Sequence, residues 1–486
     1  MPPVASPPAV ASPSFLLPSA ALLTLLALKL AVLVAFGPTT APDSSDYIRY
    51  AGQILSGEFR HVDLAKDAIP LTLYRPIGYP AIIAAARTLA PVHWAWAVVL
   101  FQFAVSIWAT AMVYRVARRF RLGQWASLGV AAAQATSLQF VLDQAILSDS
   151  LCAGTLTIAA CIMGSIVLRR EPPRPMVVVG AGALIAAAFL MRDVIALVAL
   201  GLVPFAAMTA WSGNGGVRRL VAFALVFLPL IAAQLAYYQW NRARVGAAVV
   251  TTVAQWSLLD PLVRASRYDP TIFAGSGEID RAARQVVKNF TLDESLEVDK
   301  ILHRDDGWSA VRIAHEVTAA YLRAWIEHPR AMLRHALSFF SETQLHQAVR
   351  PTETVRDVLL WNTGDDHDFA RERAVRDGNR WMIPAVVAHH LFETISILIF
   401  AAFVAVTPLR LLREGLTPET RASLGFWCSY LVCLGLHAGV SLHARYLSPV
   451  VAGSIIVGAA NISWLVARYR GRSARDTRVG GLSRAP

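Results

Sequence analysis

Long apolar runs recur along this chain at about 15–37, 94–114, 124–141, 151–168, 176–191, 194–211, 220–238, 384–407, 423–442 and 447–467. Each is near the ~20 residues a helix needs to cross a bilayer. Most polar stretches between them are short; the exceptions are 38–92 and 240–383. This pattern predicts an all-α polytopic membrane protein, a bundle of roughly ten spanning helices. Three regions follow: a transmembrane module over 1–239 with a long first loop at 38–92, a polar region over 240–383, and C-terminal spans with a basic tail over 384–486.

Composition agrees. Hydrophobic residues make up 55% of the chain and charged ones 16%, and mean hydropathy is +0.47. A net charge of +12 could suggest a nucleic-acid partner, but its distribution argues against one. Arg115, Arg118, Arg119 and Arg121 share one loop, and Arg169, Arg170 and Arg174 another. Arg218 with Arg219, Arg410 with Arg413, and Arg468 to Arg475 follow. If these loops are cytoplasmic, strict alternation puts both termini in the cytoplasm. The first loop, Asp149, Arg192, the 240–383 region and Arg445 then lie outside. The apolar run from Phe15 to Gly37 is too long for a signal-peptide core and reads as a span. Cys152, Cys161, Cys428 and Cys433 lie in apolar runs and read as packing residues.

The first loop carries Pro42-Asp43-Ser44-Ser45-Asp46-Tyr47 and then Tyr74-Arg75-Pro76-Ile77-Gly78-Tyr79-Pro80. Residues 46–57 read as a short amphipathic helix with Tyr47, Ile48, Ala51, Ile54 and Leu55 on one face. Ala81 to Leu89 reads as a second short helix. In the 240–383 region, Val245 to Val253 is β-branched and strand-like, whereas Ala310 to Ile326 and Pro329 to Phe340 are helix-like. Asp365-Asp366-His367-Asp368 reads as a solvated loop. The region is expected to be mostly helical. No Walker loop or GxGxxG fingerprint occurs.

Asp43, Tyr47, Ala51 and Gly57, followed by Arg75-Pro76-x-Gly78-Tyr79-Pro80, resemble the first extracytoplasmic loop of GT-C glycosyltransferases. The branch they resemble is the protein-mannosyltransferase/aminoarabinose-transferase-like group. Leu147-Ser148-Asp149, Met191-Arg192, Asn241 with Gly246, His328-Pro329 and Arg445-Tyr446 follow in the expected order. The sequence departs from that pattern at Ser44, Ile77 and Asp193. The resemblance implies a GT-C-like helical bundle in a bacterial inner membrane, working on its extracytoplasmic face. It implies transfer of a monosaccharide, with inversion, from a polyprenyl-phosphate donor to a lipid, glycan or protein acceptor. Whether a divalent metal takes part is left open.

Such chemistry needs a base for the acceptor hydroxyl and cations for the departing phosphate. Asp43 and Asp149 are the candidate catalytic carboxylates. Asp46, Tyr47, Arg75, Tyr79, Arg192, Arg445 and Tyr446 are the candidate substrate-binding residues, the arginines because a guanidinium can fork onto phosphate oxygens. Each has a plainer reading. Asp-Ser-Ser-Asp is a good helix start, with Asp43 as its N-cap and Asp46 in the first turn. Ser148-Asp149-Ser150 likewise opens a span. Arg75 could be an interfacial anchor, and Arg192 could pair with the adjacent Asp193. His389, His390 and Glu393 sit at helical spacing, with His437 and His443 near the next span's end; they read as a hydrogen-bonded cluster or a metal site. A transporter or flippase of lipid-linked sugars, or an O-antigen ligase or polymerase, shares the membrane setting. A transporter predicts charges spread through span interiors, whereas here they gather at span ends.

Overall fold

The computed structural model describes residues 16–41, 43–60, 70–137, 139–169, 173–193, 198, 201–211, 216–341, 382–440 and 444–482. Where described, most of the predicted spans are helices. They begin with α1 (Leu16–Phe36), and the first loop then holds α2 (Ser44–Ser56), α3 (Leu71–Tyr74) and α4 (Gly78–Leu89). Next come α5 (Trp94–Arg119), α6 (Gln124–Ala135), α7 (Gln139–Leu142), α8 (Ser148–Leu168) and α9 (Pro175–Met191). Helices Val203–Trp211 and Gly216–Val245 close the N-terminal half, and Met382–Glu414, Pro418–Val440 and Ala444–Leu482 form the C-terminal bundle. Among the described residues, five helical segments are long and apolar enough to cross a membrane: Trp94–Arg119, Ser148–Leu168, Gly216–Val245, Pro418–Val440 and Pro449–Arg470.

The central helix is α8. It packs on α5, α9 and the last two helices, and 89% of its apolar window is buried. That is why its sequence is apolar all round rather than striped. Gly216–Val245, which packs on α9, leaves Leu228, Ile231 and Leu235 exposed.

Two sequence expectations fail here. The 124–141 run is not one helix: α6 stops at Ala135, and α7 is a separate turn. At the break, the Thr136 hydroxyl donates to Ala132 O at 2.8 Å and the Ser137 hydroxyl to Gln134 O at 2.7 Å. Hydroxyls that bond the preceding turn compete with the helix ladder. Nor is Val245 to Val253 a strand. Gly216–Val245 ends at Gly246 with φ +72°, and the following segment finds non-strand partners. Asn241 Nδ2 donates to Val249 O and Val250 O, at 2.9 and 3.0 Å, while Thr252 N donates to Leu73 O at 2.9 Å. β propensity yields when tertiary contacts satisfy the backbone otherwise. Among the described residues the only ladder contact is an isolated parallel bridge, Thr39 with Ala145.

The described part of the 240–383 region is helical, as expected, with Glu278–Val286, Leu292–Arg304, Ala310–Glu327 and Pro329–Ser341 as its longer helices. They enclose their own core of Leu262, Val298, Leu302, Ile313, Val317 and Met332. The Asp365–Asp368 loop lies outside the described residues.

Trp256 ties this region to the first loop. Its ring lies 5.1 Å from that of Tyr74, and its indole N–H donates to Asp299 at 3.0 Å. Burial pushes the Asp299 carboxyl up to about 6, only partly offset by the indole hydrogen bond. The folded state therefore holds this proton more tightly than the unfolded chain, where an aspartate titrates near ~3.9. The associated stability is full below that value and is lost as pH rises to about 6. Asp299→Asn keeps the acceptor oxygen and is expected to gain about 1–3 kcal/mol over wild type above that range. Thermal midpoints of both proteins between pH 4 and pH 8 check this: the gap should open with rising pH and then stay level.

Candidate active site at the two loops

The first loop and the loop before α8 are built as one unit. Thr39 N donates to Gln144 O and Ile146 N to Thr39 O, both at 2.9 Å. The Ser44 hydroxyl accepts from Ala41 N and donates to Ile146 O, both at 2.8 Å. α2 buries Ser44, Tyr47, Tyr50 and Ala51, a face rotated from the predicted one, since Leu55 is exposed. It ends at Gly57, whose φ of +81° explains the glycine.

Tyr47 is the centre. Its ring meets Tyr79 edge-on at 5.0 Å between centroids, and its hydroxyl lies 2.8 Å from Ser148 Oγ. The Arg75 guanidinium sits 5.2 Å from the Tyr47 ring centroid and 4.7 Å from that of Tyr74. Burial raises the Tyr47 phenol above its ordinary value; Arg75 and Arg192 pull it down, and Asp43 and Asp149 push it up. The four predicted charged residues Asp43, Arg75, Asp149 and Arg192 thus form two ion pairs, one stacked on the Tyr47 ring through Arg75 and one beginning next to Ser148, which the Tyr47 hydroxyl meets.

They form two tiers. Arg75 Nη2 donates to Asp43 Oδ1 at 2.9 Å and to Asp46 Oδ2 at 3.2 Å. The two carboxylates are 23% and 25% exposed and Arg75 12%, so this tier opens to solvent. Asp43 does not cap α2: it sits in the αR region at φ −70°, ψ −16° and makes no side-chain cap bond, whereas an N-cap needs an extended backbone. In the second tier Arg192 pairs with Asp149, and both are almost fully buried. Asp149 lies in the first turn of α8 and Arg192 at the C-cap of α9, where each sign suits the helix dipole. Arg192 thus has a long-range partner in Asp149; Asp193 Oδ2 accepts from Thr251 Oγ1 at 2.5 Å.

Gly78 lets the tiers meet. A Cβ there would lie 2.5 Å from Leu190 O and 2.7 Å from Leu190 C, so only glycine lets α4 rest on the end of α9 just before Arg192. Backbone cannot move aside like a flexible side chain. Gly78→Ala is expected to cost about 1–3 kcal/mol and to lower turnover with it, as thermal melting and single-turnover rates would show.

Several supports escaped the sequence reading. Arg244 donates to Phe59 O at 2.6 Å, Thr72 O at 2.9 Å and Asn241 Oδ1 at 2.7 Å, clamping the first loop. Gln102 accepts from Tyr79 Oη at 2.7 Å and donates to Ala145 O at 2.9 Å. Lys29, the one charge in an otherwise apolar span, pairs with Asp143 at 2.6 Å. A lone lysine in an apolar run was the available signal for that pair. Arg445 and Tyr446 lie in the first turn of Ala444–Leu482, and their side chains, with those of His389, His390 and Glu393, are outside the described ones. Among the described residues no three His, Cys, Asp or Glu side chains gather to hold a metal ion.

No protein-family model and no curated protein matches this sequence. Solved structures of similar layout do occur. One is the archaeal oligosaccharyltransferase AglB from Archaeoglobus fulgidus, in complex with an inhibitory peptide and a dolichol-phosphate. It is 13% identical at a TM-score of 0.44, over 94% of this chain and 52% of that one. The chain thus spans about half that protein's length. The apo oligosaccharyltransferase from the same organism gives 11% identity and a TM-score of 0.46, over 96% of this chain and 52% of that one. ArnT from Cupriavidus metallidurans, bound to undecaprenyl phosphate, gives 15% identity and a TM-score of 0.35, over 87% of this chain and 77% of that one. These likenesses carry none of the residue assignments.

Proposed function

We propose that this protein is a membrane glycosyltransferase that moves a monosaccharide from a polyprenyl-phosphate donor to a lipid, glycan or protein acceptor. The observation that carries the reading is that Tyr47 joins two ion pairs: Arg75, bound to Asp43, lies against its ring, and its hydroxyl meets Ser148, next to the Asp149 that pairs with Arg192. Two carboxylates and two guanidiniums, stacked from open to buried, suit a reaction that takes up a proton and releases a phosphate.

Asp43, in the open tier, accepts the proton of the acceptor hydroxyl. The oxygen attacks the anomeric carbon, the bond from that carbon to the phosphate oxygen breaks, and the lipid phosphate leaves with the electron pair. Configuration inverts. Arg75 receives the phosphate as a forked donor, with Arg445 as its proposed companion from the last helix. Arg75 is bound to Asp43 and Asp46, so the guanidinium that receives the phosphate lies beside the carboxylate that takes the proton. Arg192 and Asp149 hold the floor, and Tyr79 fixes the Tyr47 ring.

The proposed setting is a bacterial inner membrane with both termini cytoplasmic and the site on the opposite face. Reporter fusions after residues 120 and 172 are expected to report cytoplasm, and fusions within 270–340 the other side; the reverse would place the site on the wrong face. The function itself is tested in membranes with a panel of radiolabelled polyprenyl-phosphate sugars, with and without chelator. Label should pass from lipid to acceptor with one donor. A lipid-linked sugar that crosses the bilayer without transfer would instead identify a flippase.

A further inference from the structure

The buried Lys29–Asp143 pair takes no part in the chemistry above. Lys29 is the single charged residue of α1, seven positions before its end and so about 10 Å below it along the axis. It is 2% exposed, and Asp143 is fully buried. An ionised group within a span is costly unless paired, and such groups mark function more often than packing.

Most described polar contacts of the pair lead to the segment around Asp143 and Asp149. Lys29 Nζ donates to Asp143 Oδ2 at 2.6 Å and to Ser106 Oγ of α5 at 3.0 Å. Phe103 and Phe140 close over the ammonium, their centroids 5.3 and 5.8 Å away. The other carboxylate oxygen of Asp143 accepts from Gln139 Nε2 at 2.5 Å and Ser150 Oγ at 2.6 Å, and Ser150 directly follows Asp149. The Asp143 carbonyl accepts from Gln102 Nε2 at 3.1 Å. The same Gln102 amide takes the Tyr79 hydroxyl at 2.7 Å, and Tyr79 edges onto Tyr47. The segment that Asp143 begins is the one bridged to Thr39.

We infer that Lys29 and Asp143 are positioning residues: an ionic bracket, anchored in the first span, that holds the 143–149 segment in register with the 39–47 segment and thereby sets Asp149 and Asp43 about Tyr47. Neither residue touches substrate. A hydrophobic pair could fill the same volume, but it would offer no acceptor to Gln139 and Ser150, which both donate to the Asp143 carboxylate. The inference rests on the transferase reading for its kinetic consequence only; the bracket itself is a statement about loop register.

The experiment compares wild type with Lys29→Met, Asp143→Asn and the double variant, each as full-length protein in lipid nanodiscs. Hydrogen exchange gives loop register, and single-turnover transfer is scored per folded molecule. Lys29→Met is expected to speed amide exchange in 37–47 and 139–150 while α5 and Ala444–Leu482 keep wild-type protection. It should lower kcat at least tenfold with donor KM changed less than threefold. Asp143→Asn should behave alike, and the double variant should be no worse than the poorer single one. Exchange confined to those loops supports the bracket even if no sugar donor is ever turned over, in which case the transferase reading fails alone. Loop exchange equal to wild type in Lys29→Met overturns the inference. So does exchange that rises evenly across all helices with kcat per folded molecule unchanged, which is what a purely structural pair would give.

Discussion

Asp43→Asn protein is expected to insert and fold like wild type and to transfer sugar roughly 10²- to 10⁴-fold more slowly, the range for loss of a general base. That corresponds to about 3–5 kcal/mol of barrier. The fold should tolerate the change for reasons visible in the loop. Asp43 makes no side-chain cap to α2, so no helix terminus is undone. Its ion pair with Arg75 is partly exposed and duplicated by Asp46, so the guanidinium keeps one carboxylate. A partly exposed pair contributes at most about 1 kcal/mol, far below the catalytic effect. Thermal melting together with single-turnover rates separates the two. Near-normal turnover would return Asp43 to a structural role and shift the search for a base to Asp149.

The second large effect falls on the buried tier and is mainly one of stability. Arg192→Met leaves Asp149 buried beside the α8 N-terminus without its cation. Breaking one side of a buried ion pair typically costs about 3–5 kcal/mol. Replacing both partners with apolar residues of similar size is often neutral or better. Arg192→Met is therefore expected to melt far below wild type, and Arg192→Met/Asp149→Leu to regain most of that loss. Catalysis should not return with stability, because the double variant lacks both charges of the buried tier. Melting curves and transfer rates on the three proteins check this. A double variant that was both stable and active would show the buried pair to be dispensable.

The sequence made much of this legible because a bilayer imposes length and composition on whatever crosses it. The spans at 94–114, 151–168 and 423–442 could be read from hydropathy alone. The break after Ala135 could not, since it depends on two hydroxyls turning back on their own helix. The charged residues were legible as candidates because arginines on the side opposite the basic loops are uncommon. Their pairing was not, because local proximity suggested Arg192 with Asp193, and only the packing of α8 against α9 brings Asp149 to it. The strand-like stretch before Val253 misled for a similar reason: its backbone partners, Asn241 and Leu73, are set by the tertiary structure. Lys29 left a signal, a single charge in a long apolar run, but its partner lies 114 residues away.

The central claim is that the charges around Tyr47 receive a lipid phosphate. Its most direct test is the affinity of nanodisc-reconstituted protein for a short-chain polyprenyl phosphate, followed by ³¹P NMR, in wild type, Arg75→Lys and Arg75→Ala. Hydrogen bonds to a charged group are worth about 1.5–3 kcal/mol, so Arg75→Ala should bind roughly 10- to 100-fold more weakly. Arg75→Lys should fall between them, retaining the charge but losing the planar fork. If Arg75→Ala bound the phosphate as tightly as wild type, the lipid phosphate would be received elsewhere and the account would be contradicted.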